Sequence, residues 1–158
     1  IPQLLLESAE IDSKDSVKSL ILVDSALRIV CQGKQVTLTA QSNNGKQLLP
    51  YLQTHVQNCS AELVEDTLTL TYNEVASDID EASKLVADNA FSALRSCINS
   101  IKSTTDNPFS VFLGGVFAYD MVANFETLSD VPNGENSCPD YVFYLVGGLL
   151  VTLHRTKL

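Results

Sequence analysis

The stretch from Leu4 to Val23, LLLESAEIDSKDSVKSLILV, ends an apolar run in a carboxylate and a hydroxyl, Glu7 and Ser8. Such a strand either meets water there or ends against something that needs those two groups. Spacing alone leaves both readings open. Elsewhere the search for chemistry returns little. His55 and His154 are the only histidines, and neither has a partner at the H-x-x-x-H or H-x-x-E spacing that a metal site uses. There is no G-x-S-x-G elbow and no Walker loop, and Gly114-Gly115 does not extend to G-x-G-x-x-G. That glycine pair reads as a bulge or close backbone approach within a strand. Asp78, Asp80 and Glu81 suit a helix N-terminus, where negative charge is favourable, better than an acid/base pair.

The elements that must position these groups are α+β in character. Leu20 to Val23 and Ala26 to Gln32 flank Asp24-Ser25, and Gln35 to Gln41 follows Gly33-Lys34, both links being short enough for hairpins. In QVTLTAQ, Val36, Leu38 and Ala40 alternate with polar neighbours, which predicts a half-buried antiparallel strand. A meander with one dry face results. Leu48, Leu49, Leu52 and Val56 then follow a helical period, with Pro50 requiring the helix to start close by or to kink. DTLTLTYNEV alternates again through Leu68, Leu70 and Tyr72. Asp78, with Glu81 as a capping box, opens a long helical stretch, in which Phe91, Leu94, Ile98 and Ile101 form the apolar stripe. Thr104 to Pro108 ends it. FSVFLGGVFAYDMV and YVFYLVGGLLVTLHR read as strands buried on both faces, because their apolar residues run on without alternation. Antiparallel strands packed with helices make the expected fold class α+β.

The bulk numbers narrow the function. With 158 residues, 45% hydrophobic and 18% charged, the chain can bury one core and is too short for two comfortable ones. A formal net charge of −9 and a pI near 4.5 repel phosphate backbones, so no nucleic-acid partner is expected. No apolar run reaches the roughly 18 residues of a membrane span, and no membrane association is expected. Ile1-Pro2-Gln3 lacks the basic start of a secretory leader. Cys31, Cys59, Cys97 and Cys138 lie far apart without a C-x-x-C pair, and reduced thiols in a cytoplasmic protein are expected.

Three stretches together carry a family resemblance. LLLESAEIDSKDSVKSLILVDSALRI (4–29), GGVFAYDMV (114–122) and CPDYVFYL (138–145) resemble the N-terminal region of anthranilate synthase component I. That subunit uses chorismate in the first committed step of tryptophan biosynthesis. The match is close over about a third of the chain and looser over 57–77 and 99–107, and Gly147-Gly148 replaces the polar residues expected after FYL. The resemblance implies that residues 1–158 are one N-terminal regulatory domain of a longer subunit. The catalytic half, with its chorismate and magnesium sites, would lie C-terminal to it. The domain alone would hold no cofactor and catalyse nothing. Expected partners are L-tryptophan, the subunit's own catalytic domain and a glutamine amidotransferase subunit, component II.

The resemblance also implies a ligand site. L-tryptophan, the feedback inhibitor, would bind at Leu6, Glu7, Ser8 and Ala9, with Lys18 contributing. Glu7 or nearby carbonyls suit the ligand's ammonium, and Ser8 and Lys18 suit its carboxylate. The indole needs an apolar slot, to which Leu4 to Leu6 are suited. The family completes this site with a Pro-Tyr-Met segment from the catalytic half; Pro50-Tyr51-Leu52 looks similar but lies in the wrong region and takes no such role. Two rival readings are an N-terminal domain of aminodeoxychorismate synthase component I and an interaction domain without a ligand.

Overall fold

The computed structural model describes residues 4–7, 17–73, 80, 83, 87–107, 109–119, 121 and 138–154. In chain order the elements are β1 (Leu5–Glu7), β2 (Val17–Gln32), β3 (Gln35–Ala40), α1 (Asn43–His55), β4 (Cys59–Val64), β5 (Thr67–Tyr72), α2 (Ala90–Ser100), β6 (Leu113–Phe117) and β7 (Tyr141–His154). The strands form one sheet in the order β4-β5-β3-β2-β7-β6, with β1 also paired to β2. Every pairing is antiparallel. The α+β expectation holds, but the strand order is not a simple meander. β7 returns to pair with β2 along most of its length, and β3 meets β5 rather than β4. The reason lies in side-chain size: Leu68, Leu70 and Tyr72 of β5 are buried, whereas Cys59, Ala61 and Leu63 of β4 are only half-buried at the sheet's end. The more apolar member of the β4–β5 hairpin takes the inner place.

The turn at Gly33-Lys34 is the hairpin its sequence predicts. Gly33 adopts φ +59°, a conformation that costs glycine nothing, and its amide donates to the Asp140 carboxylate at 2.6 Å. Asp24-Ser25 is not a hairpin. β2 passes straight through it for 16 residues, and the β2–β7 register shifts between Leu22 and Leu27. The physical cause is local. The Ser25 amide donates to Asp24 Oδ1 at 2.9 Å, so a backbone donor set apart by the bulge is satisfied by a neighbouring side chain. On the opposing strand Gly148 pairs with Asp24, and a Cβ at Gly147 would stand 3.3 Å from Asp24 Oδ2. The glycine pair that departs from the family pattern therefore faces the bulge.

α1 opens at the Ser42 cap, whose hydroxyl accepts from the Gly45 amide at 3.3 Å. It runs through Pro50 rather than starting beside it. An interior proline costs about 3 kcal/mol, which Leu49 and Leu52, almost wholly buried against the sheet, offset at about 1.5–3 kcal/mol each. The stretch expected to begin at Asp78 does not continue into α2. The cap at Asp78 and Glu81 lies outside the described residues, and α2 begins afresh at Ala90. Its Asn89 side chain accepts from the Phe91 amide, and the Asn89 amide donates to Ser92 Oγ, a reciprocal capping box. The buried stripe of α2 is Ala90, Ala93, Leu94 and Cys97, while Ile98 is exposed. Small residues let the helix lie close to the sheet. Tyr141, fully buried, donates its hydroxyl to the Ala90 carbonyl at 2.7 Å and so fixes the start of α2 to β7.

β6 and β7 are not buried on both faces. Val116, Phe117 and Leu150 are exposed, because β6 ends the sheet and the core gathers α1, α2 and one face of the strands. Among the described residues no helix is long and apolar enough to cross a membrane.

Candidate functional site

The short strand β1 lies against the N-terminal half of β2. Leu5 pairs with Ile21, Leu6 with Leu20 and Glu7 with Ser19, and the Leu22 amide donates to the Leu4 carbonyl at 2.9 Å. Residues alternate in exposure as a strand requires, with Leu5 57% exposed and Leu4 and Leu6 half-buried. Glu7 is thus the last position of its strand, opposite buried Ser19 and one step from Lys18, which itself pairs with Leu153 of β7. Of the residues singled out in the sequence, the fold brings Leu6, Glu7 and Lys18 to one end of the β1–β2 ladder. Ser8 and Ala9, which follow Glu7 directly, lie outside the described residues.

Two features here carried no sequence signal. Among the described residues Ser19 is one of three buried polar ones, with Ser25 and Ser92, and nothing distinguishes it in KSLILV. Leu4 packs toward β6, where a Cβ placed on Gly114 would stand 2.9 Å from Leu4 Cδ2 and 3.2 Å from Phe112 Cε1. The close-backbone-approach reading of Gly114-Gly115 holds at Gly115, where a Cβ would meet the Val142 carbonyl at 2.2 Å, while at Gly114 the near atoms belong to side chains.

The thiols are unpaired and those in the core are unreactive. Burial foremost, then the charge of Asp140, pushes Cys31 up to about 12, and burial alone pushes Cys97 up to about 12. Nucleophilic chemistry needs the thiolate, which these sites suppress at neutral pH. Cys31 Sγ instead donates to the Gly33 carbonyl at 3.4 Å. Among the described residues no three His, Cys, Asp or Glu side chains gather into a site for a metal ion.

Similarity to known proteins extends well past the three stretches first noted. The chain is 48% identical over 157 residues to anthranilate synthase component 1 of Vibrio cholerae, covering 98% of the chain and 29% of that relative. It is 45% identical over 158 residues to the same-named protein of Salmonella typhimurium and 42% identical over 155 residues to that of Escherichia coli, covering 98% of the chain and 30% of each relative. Homologues named anthranilate synthase component 1 thus match this chain over nearly its whole length, through their N-terminal region. It spans about 30% of the length of the curated relatives it matches. No family profile matches it. Set against anthranilate synthase component 1, the β1–β2 ladder is built from the longest of the stretches that carry the resemblance, 4–29, and β6 and the first half of β7 from the other two.

Proposed function

We propose that this chain is the N-terminal, regulatory part of an anthranilate synthase component 1 subunit and binds L-tryptophan as a feedback inhibitor. The observation that carries the reading is the register of β1 on β2, which gathers Leu6, Glu7 and Lys18 at one ladder end, in a chain 48% identical to a protein of that name. Glu7 and free carbonyls receive the ligand's ammonium. Ser8 and Lys18 receive its carboxylate through charge-assisted bonds. Leu6 and Ala9 offer apolar contact to the indole. Chorismate, the magnesium ion and the ammonia-delivering glutamine amidotransferase are partners of the whole cytoplasmic enzyme. The magnesium ion is proposed to bind in the remainder of the subunit, beside chorismate.

Regulation then follows from differential affinity. Tryptophan favours an arrangement of the subunit that turns chorismate over poorly, and chorismate favours the other, with a coupling of about 1–3 kcal/mol that acts in both directions. The test is a titration of the full-length subunit with L-tryptophan, following chorismate turnover and, by calorimetry, heat of binding. Saturable binding with falling turnover is expected. No heat and no inhibition at millimolar tryptophan overturns the reading.

A further inference from the structure

In the pairing of the sheet, β1 and β6 stand three strands apart, with β2 and β7 between them. Across a flat sheet that separation is about 14 Å, beyond the reach of a leucine. Yet Leu4, immediately before β1, packs onto Gly114 of β6 closely enough that a Cβ there would stand 2.9 Å from Leu4 Cδ2. The sheet must therefore coil over itself at this end, and the register shifts of β2 between Leu22 and Leu27 supply the bend. β1 is held in this coil by its three pairs with β2, by the Leu22–Leu4 backbone bond at 2.9 Å and by Leu4 itself. Its other exposed face offers little, with Leu5 57% exposed.

We propose that Gly114 is a positioning residue for the tryptophan-gripping strand: its bare Cα is the seat that receives Leu4 and so fixes the height and angle at which β1 presents positions 6 and 7. A methyl group at this position must displace either Leu4 or the ring of Phe112, whose Cε1 would stand 3.2 Å away. Leu4 Cδ2 is the end of a flexible, half-buried side chain, so the methyl is accommodated by lifting Leu4 off its seat, which loosens the hold on β1. The displaceable element is the short strand β1, because among the described residues it has only three pairs, all with β2, whereas β6 has five with β7.

The proposal rests on the tryptophan reading for its consequence, but its structural half is separately measurable. In the full-length subunit, Gly114→Ala is compared with the parent by hydrogen exchange of peptides covering 4–7 and 19–22, and by the tryptophan concentration that halves chorismate turnover. Exchange at these peptides is expected to quicken at least tenfold, and the half-inhibitory concentration to rise at least tenfold, each protein read against its own tryptophan-free rate. Leu4→Ala, which empties the seat without adding bulk, moves both in the same direction and serves where Gly114→Ala does not fold. Unchanged exchange in Leu4→Ala overturns the seat. Quickened exchange with unchanged tryptophan sensitivity overturns the positioning role. A parent insensitive to tryptophan sinks the regulatory reading alone, and exchange then decides the seat by itself.

Discussion

At the scale of single residues, the proposed tryptophan site centres on the ladder end of β1. Glu7 closes the strand opposite buried Ser19, and Ser8 is the next residue along the chain. In the proposed tryptophan site its hydroxyl is a donor for the ligand carboxylate. Ser8→Phe replaces that donor with a ring that fills the same space. The half-inhibitory concentration of L-tryptophan in the full-length subunit is expected to rise at least tenfold, about 1.4 kcal/mol of lost binding. Equal sensitivity in variant and parent removes Ser8 from the site. Glu7 and Ser8 stood out in the sequence because their types are unusual at the end of an apolar run, whereas Lys18 joined them only through the family resemblance. Buried Ser19 was not, since a serine in an apolar strand has the same letter whether it faces core or water.

At the scale of elements, two contacts decide how the helices meet the sheet. Gly45 sits in the first turn of α1, and a Cβ there would stand 2.0 Å from the Ala26 carbonyl of β2. That carbonyl already accepts from the Gln41 amide at 2.9 Å, so it cannot turn away cheaply. Gly45→Ala gains about 1 kcal/mol of helix propensity but forces helix and strand apart. A net loss of about 2 kcal/mol is expected from overpacking, seen as a lower urea midpoint for the chain. A midpoint equal to or above that of the parent shows that α1 can shift freely. The aromatic cluster at the other end, where Phe117 lies 4.7 Å from Phe143 and 5.1 Å from Phe91 between ring centroids, ties α2 to β6 and β7 in the same way. Alternation made β3 and β5 readable, and the Gly33-Lys34 turn was readable from its glycine. β4 was not, because its hairpin turns at Glu65, which takes φ +50° without being glycine or asparagine.

At the scale of the whole molecule, the core carries a pH dependence. Burial raises the pKa values of Cys31 and Cys97 to about 12 and pushes Tyr72 and Tyr141 up as well. In the unfolded chain these thiols ionise near their ordinary value of about 8.5. Groups raised by folding bind protons more tightly when folded. Their contribution is therefore complete below the unfolded pKa and is lost as pH climbs toward the folded one. Urea stability is expected to be flat from neutrality to about pH 8 and to fall steadily above about pH 9. Cys97→Ala lowers stability throughout by leaving a cavity, and makes the alkaline slope shallower. A slope identical to the parent's would remove Cys97 as its source. The net charge of −9 adds self-repulsion in the same direction, which is why the comparison of slopes, and not the fall alone, is the test.

Local patterns in the chain were enough for the α+β class, for β3, β5, α1 and the Gly33-Lys34 hairpin, and for the family kinship that 48% identity later extended to nearly every residue. Each rests on neighbours within a few positions, which periodicity and turn chemistry report. Only the tertiary structure decided that Asp24-Ser25 is a bulge, that β7 lies beside β2, that α2 buries small residues instead of Ile98, and that Leu4 is seated on Gly114. Those outcomes join residues distant in sequence, where the winning arrangement is set by competing burial and steric fit rather than by any short stretch of letters.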